Sequence, residues 1–447
     1  MPAQTSNAAP PRWSYNKGSD YWLRERECPW PRSAIFSTSD WQALSNPFEG
    51  MVESLDPEQR KVFNPADYKE KPFANSNRCL CTASNNTEVC TRCVDVCPTA
   101  AITVHKQSVL IGDDCRKCGL CSAVCPTETL STRRHMPRQV YDQIARVASA
   151  YEQCYVTCTR ALKRIPKGNE VVLACVGDLS RDLWFSLLTD YDNISVYLPV
   201  GICDRCKTTT GEATYVDAIG TAEEWAKASV GLEVDQRQMT HELTRDYKRS
   251  QFVSSAIHSA ERLVSRTTPA LAGAQAIAKK ISDHTKRIDE MQRQLEAAVG
   301  AKTSNNRQRM LTQSRKLVMG ALQHDPGLAK YVDLQAPVFD SARCTACGEC
   351  ARVCTTRALD LDTNGMVTIQ NAFCVSCGAC AKVCEEGALT MERMDTEELI
   401  VPDEVTERIR AQKAKAKAEA QKYIEQGKKQ LGRVADAIEA ATDQTDK

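Results

Sequence analysis

At 447 residues the chain is long enough for about two to four domains with an ample core. Its 58 Lys and Arg against 57 Asp and Glu leave a net charge of +1, which argues against nucleic acid or an anionic membrane surface as partner. The first residues carry no apolar leader, and no stretch reaches the roughly 18 apolar residues of a membrane span. The 23 cysteines are therefore expected in a reducing, cytoplasmic setting, where thiolates bind metal instead of pairing as disulfides.

Residues 1–78 show no sustained helical or strand period, yet they hold Trp13, Trp22, Trp30 and Trp41 among Tyr15, Tyr21, Phe36 and Phe48. A structureless leader is normally poor in aromatics. The segment is expected to be an arm that wraps the protein's own domains; the other reading is a docking arm for a partner.

Residues 79–134 open a unit that recurs along the chain: closely spaced cysteines, then a last one three residues on. The regular copies are Cys115, Cys118, Cys121 and Cys125; Cys344, Cys347, Cys350 and Cys354; and Cys374, Cys377, Cys380 and Cys384. The remaining copy, Cys90, Cys93 and Cys97, takes its first cysteine from Cys81 or Cys79. Cys81 is preferred because its loop is shorter to close. Two-residue spacing lets three sulfurs of a tight turn converge on one cubane, and the last cysteine points at a second cluster. Four units in two pairs thus predict four [4Fe–4S] clusters. Zinc would need two Cys-x2-Cys pairs per ion and gives no reason for the final three-residue step.

Gly119, Gly348 and Gly378 follow the second cysteine, where a Cβ is expected to crowd the inorganic core; the first unit has Thr91 there. Ile102, Leu130, Leu359 and Leu389 each stand five positions after a last cysteine and are expected to shield clusters from water. Short hairpins are expected around His105-Lys106-Gln107 and around Asn364-Gly365.

Residues 138–235 read as a small, Rossmann-like α/β domain. A helix is expected over 138–165, placing Cys154 and Cys158 on one face. A strand to Cys175, a helix, a second strand leading into Cys203 and Cys206, and a helix over 212–227 follow. With Cys175 and the Cys203/Cys206 pair at carboxyl ends of adjacent parallel strands, a fifth metal site is expected from Cys154, Cys158, Cys203 and Cys206, with Cys175 as substitute or neighbour. An iron–sulfur cluster is favoured there over zinc. No Gly-x-Gly-x-x-Gly follows a strand and no Walker loop occurs, so no nucleotide is expected.

Residues 236–335 read as a helical hairpin or bundle acting as a spacer, with a stripe of Ile277, Ile281, Ile288, Met291 and Leu295 interrupted by His284. The second cysteine-rich domain follows at 336–395. Residues 396–447 are rich in Ala, Lys, Glu and Gln and read as a solvated or partner-docked helical tail.

Residues 79–131 and 342–391 resemble bacterial two-[4Fe–4S] ferredoxin domains, and the chain as a whole resembles a polyferredoxin-type electron-transfer subunit. The resemblance implies an exchange of the fourth ligand. One cluster is then held by Cys81, Cys90, Cys93 and Cys125 and its neighbour by Cys115, Cys118, Cys121 and Cys97. In the second domain the sets are Cys344, Cys347, Cys350 with Cys384, and Cys374, Cys377, Cys380 with Cys354. The family's proline after the last cysteine is present as Pro98 and Pro126 but replaced by Thr355 and Glu385. The expected fold class is α+β and multidomain, with two ferredoxin-like domains flanking the α/β domain and the helical region. The expected function is one-electron relay to or from a redox partner protein or catalytic subunit. In the rival reading the middle cysteines form a catalytic site of the chain's own.

Overall fold

The structure is a computed structural model that describes residues 62–244 and 269–401. The four tryptophans of the expected arm, most of the tail and residues 245–268 of the helical region lie outside the described residues.

Two short strands frame the first cysteine-rich half. Strand β1 (Phe73–Ala74) precedes its first cysteine, in the stretch expected to belong to the arm. Helices α1 (Leu80–Ser84) and α2 (Arg92–Asp95) lead to the hairpin β2 (Ile102–Val104) and β3 (Val109–Ile111). Helix α3 (Leu120–Ala123) then runs to β4 (Leu130–Ser131), which closes back antiparallel on β1.

The middle of the chain departs from expectation. Helix α4 (Pro137–Ala150) stops at Tyr151, and Cys154–Cys158 forms strand β5 instead of continuing the helix. The run Cys-Tyr-Val-Thr-Cys is aromatic and β-branched, and all five residues are buried. A central parallel strand, covered on both faces, shows no polar alternation to betray it. The short helix α5 (Thr159–Leu162) leads to β6 (Glu170–Leu173). Helix α6 (Arg181–Asp190), capped by Ser180, leads to β7 (Ile194–Tyr197), and α7 (Gly211–Ala226) leads to β8 (Gly231–Glu233). The sheet is parallel with spatial order β6-β5-β7-β8. The strands that carry Cys175 and the Cys203/Cys206 loop are therefore not adjacent, because β5 lies between them. Strand order reverses at β5/β7, where α/β sheets open a crevice at their carboxyl edge.

Helix α8 (Pro269–Val299) and helix α9 (Gln313–His324) are not a free spacer. Both pack on α4, and α9 also lies against α6. Ile281, Ile288, Met291 and Leu295 supply the buried stripe of α8. His284 interrupts it because its ring stacks on Tyr141 of α4, with centroids 4.7 Å apart. Tyr141 in turn donates to Asp190 at the end of α6, and His324 of α9 lies 2.7 Å from the same carboxylate. The second cysteine-rich half repeats the first: β9 (Gln335–Phe339), α10 (Glu349–Val353), the hairpin β10 (Leu359–Leu361) and β11 (Val367–Ile369), α11 (Ala379–Lys382), and β12 (Leu389–Arg393) antiparallel to β9.

Burial holds the His284 imidazole down to about 4, so the folded protein keeps it neutral while the unfolded chain protonates it near its ordinary value. Stability from this group is present above pH ~6.5 and is lost as pH falls. Between pH 7 and pH 5 the wild type is expected to lose about 2 kcal/mol that a His284→Gln variant does not lose. Denaturant titrations at the two pH values check this; parallel losses would refute it.

Candidate metal centres

In each half the chain turns sharply at the cysteines, and a repeated backbone pattern produces the turns. Ala100, Glu128, Arg357 and Gly387, each three residues after a last cysteine, have positive φ. The next amide then donates to the cysteine sulfur: Ala101 N to Cys97 Sγ at 3.3 Å, Thr129 N to Cys125 Sγ at 3.3 Å, Ala388 N to Cys384 Sγ at 3.2 Å. At the front of the turns, Lys117 N and Ala346 N reach Cys115 Sγ and Cys344 Sγ at 3.4 Å. Hydrogen bonds to the cysteine sulfurs are among the features that set the potential of a cluster held by them.

The cysteines line four cavities. Site 1 gathers Cys79, Cys90, Cys93 and Cys125; site 2 gathers Cys97, Cys115, Cys118 and Cys121. Site 3 gathers Cys354, Cys374, Cys377 and Cys380; site 4 gathers Cys344, Cys347, Cys350 and Cys384. In both halves the last cysteine of each run thus faces its neighbour's cavity. Ile102, Leu130, Leu359 and Leu389 are all buried, and each lines the cavity that its own preceding cysteine enters. The space between the lining residues of sites 1 to 3, open mouths included, is about 300 to 370 Å3. Site 4 is wider, and its Cys347 is exposed beside Glu385 and Glu386.

One expected ligand is displaced: Cys79, not Cys81, lines site 1. The Cys81 side chain is fully buried in α1, and its thiol lies 3.1 Å from the Cys90 carbonyl and 3.5 Å from that of Thr87. Its partner in charge is Cys79: interaction with the Cys81 side chain holds the Cys79 thiol down to about 6 despite burial. Two residues of loop change closure entropy by only about 0.2 kcal/mol, too little to choose between the two positions. Burial pushes four other thiols up, to about 12 for Cys93 and Cys377 and about 11 for Cys118 and Cys350. Metal binding at these cysteines would therefore release protons.

The glycines after the second cysteines have φ of +82° at Gly119, +78° at Gly348 and +74° at Gly378. They are needed for the left-handed backbone, and at Gly119 a Cβ would overlap the Asp178 carboxylate. Thr91 escapes because its φ is −115°. The sequence reading missed Thr99, Thr127 and Thr356, whose hydroxyls lie 3.8, 3.7 and 3.5 Å from Cys97, Cys125 and Cys354 Sγ. Their signal was available: threonine stands two residues after three of the four last cysteines, and Glu386 replaces it after Cys384.

The two halves touch directly. Lys382 Nζ donates to the Val89 carbonyl at 3.0 Å, Arg352 donates to the carbonyls of Ala83 and Ser84, and Ser84 and Asn86 line site 4. Arg92 lines site 1.

A fifth cavity opens at the carboxyl edge of the parallel sheet, lined by Cys158, Cys175, Cys203 and Cys206. Cys154, expected among these, is absent from it. Positions 154 and 158 do share a strand face, but four residues of strand separate them by about 13 Å. Cys154 is fully buried at the opposite end of β5, opposite Ile194. Among the described residues no three Cys, His, Asp or Glu side chains form a group that could hold a single metal ion.

Residues 335–389 match the family model described as a 4Fe-4S dicluster domain. This match identifies an iron–sulfur domain in the chain. No curated protein and no solved structure matches the sequence. No helix among the described residues is long and apolar enough to cross a membrane.

Proposed function

We propose that the protein relays single electrons through four [4Fe–4S] clusters, to or from a partner oxidoreductase. The observation that carries this reading is the exchange of the last cysteine between neighbouring cavities, made in the same way in both halves. The ligand sets are those lining sites 1 to 4, with Cys79 in place of Cys81. The donor sets fit: four thiols per cavity, amides directed at the sulfurs, and an apolar lid from the residue five positions on. A cubane bound in such a set supplies reversible one-electron chemistry with a potential set by hydrogen bonds, charge and exposure.

The residues around each set then differ in a readable way. Arg92 lines site 1, where a cation favours added negative charge. Glu385 and Glu386 stand at site 4, where Cys347 reaches the surface, and they oppose it. Site 4 is thus the set best placed to meet a partner protein in the second half, and it has the anionic surroundings that lower a potential.

Iron and acid-labile sulfide per chain, measured after anaerobic purification, test the reading together with EPR of the reduced state. About sixteen irons in ferredoxin-type sites are expected, four per cubane. A chain that holds about eight, with the first half empty, would reduce the protein to a single two-cluster domain.

A further inference from the structure

The four cysteines of the fifth cavity are used by neither ferredoxin-like half. Cys158 ends β5, Cys175 follows β6, and Cys203 and Cys206 lie in the loop after β7, so the carboxyl ends of three neighbouring strands deliver them to one place. We propose that Cys158, Cys175, Cys203 and Cys206 hold a fifth iron–sulfur cluster, joined to site 2, which makes the parallel sheet one end of the relay instead of a scaffold for it. The proposal rests on the four-cluster reading only for its neighbour at site 2.

Several details of the cavity are those of a ligand cradle. Thr208 N donates to Cys206 Sγ at 3.4 Å, the same bond from the second residue onward that Cys115 and Cys344 receive in sites 2 and 4. Tyr215 lines the same cavity as Cys203. Arg160 holds the loop in place through its Nε, 3.1 Å from the Ile202 carbonyl, and shares the mouth with Glu212. Gly211 opens α7 where a Cβ would come within 2.8 Å of Cys175 Sγ, so the helix approaches the sulfur only because that position has no side chain. The space between its lining residues, open mouth included, is about 400 Å3, close to that of sites 1 and 2. A lone zinc needs four sulfurs about 2.3 Å from one point, and among the described residues no group of three or more such side chains is set to hold a single metal ion.

The connection to site 2 is short. The turn Val176–Asp178 leaves Cys175 and runs between the two cavities. A Cβ on Gly177 would lie 2.6 Å from Leu120 Cδ2, which lines site 2, and 3.0 Å from the carbonyl of Gly211, which lines the fifth cavity. Two glycines, Gly177 and Gly211, thus let backbone and cluster-lining residues of the two sites pack together without an intervening side chain.

The full-length protein, purified anaerobically, is the material for the test. Wild type is expected to hold two or four irons more than the roughly sixteen of four cubanes. A Cys203→Ser/Cys206→Ser variant should lose that increment and keep the rest, while Cys154→Ala loses none. In reduced wild type the EPR signal of site 2 should be broadened by the nearby spin, and the broadening should vanish in the double variant. Wild-type iron at about sixteen with no change in the variant overturns the proposal, as does one zinc per chain that the variant lacks. If the double variant misfolds and falls far below sixteen irons, the wild-type iron and zinc counts decide alone. Failure of the four-cluster reading would show separately, as wild-type iron well below sixteen with the difference between wild type and variant intact.

Discussion

A Cys79→Ala variant is expected to lose about four of the roughly sixteen irons of the four ferredoxin-type sites and one cubane signal, whereas Cys81→Ala keeps them all. The two cysteines sit two positions apart, and either could be drawn as the missing first ligand. Cys79 precedes α1 with extended backbone and lines site 1 beside Cys90, Cys93 and Cys125. Cys81 is inside the helix, and its thiol is directed at the carbonyls of Thr87 and Cys90. Those bonds pin the loop that replaces the compact turn of the other units. Losing them costs about 1 kcal/mol, so Cys81→Ala should lower the melting temperature slightly at unchanged iron content. Iron analysis of the two variants side by side separates the roles. Equal iron loss in both, or loss only in Cys81→Ala, would return the ligand to the position that loop length favoured.

The same contrast shows what a reader of the sequence can and cannot see. Cysteine spacing is dictated by the chemistry of a turn, so the four cysteine runs and the apolar positions Ile102, Leu130, Leu359 and Leu389, buried beside them, were legible. The first unit was legible only in part, because its first cysteine arrives through an irregular loop whose pinning by Cys81 is a three-dimensional fact. The α/β layer was legible as a pattern, and the carboxyl-edge placement of Cys175, Cys203 and Cys206 followed from it. Strand β5 was not. It is buried on both faces, so Cys154 and Cys158 at a spacing of four read as a helix face. The order of the strands was also hidden, since nothing local in Glu170–Leu173 or Ile194–Tyr197 says that β5 lies between them. The helices α8 and α9 read as a spacer because a stripe of apolar residues does not name the surface it covers.

The glycines after the second cysteines make the last expectation quantitative. All three hold left-handed backbone, so alanine at any of them costs about 1–2 kcal/mol from that source alone. Gly378→Ala should cost little more, since the nearest atom to its Cβ is Met391 Cγ at 4.0 Å. Gly348→Ala must displace Leu361 Cδ1 from 3.2 Å, and the end of a leucine can give way. Gly119→Ala would drive its Cβ into the Asp178 carboxylate, which is 6% exposed, lies 3.6 Å from His135, and sits on the packed turn between site 2 and the fifth cavity. That carboxylate has nowhere to retreat, so the overpacking adds about 1–3 kcal/mol. Gly119→Ala is therefore expected to be the most destabilising of the three, and iron loss should begin at site 2. The cause can be isolated with Asp178→Ala. If the clash is with the carboxylate, Gly119→Ala/Asp178→Ala should be more stable than the sum of the single effects allows, by about 1 kcal/mol or more. Strict additivity in that cycle would mean that the glycine is required for backbone conformation alone, and that the contact between site 2 and the Val176–Asp178 turn is looser than the structure draws it.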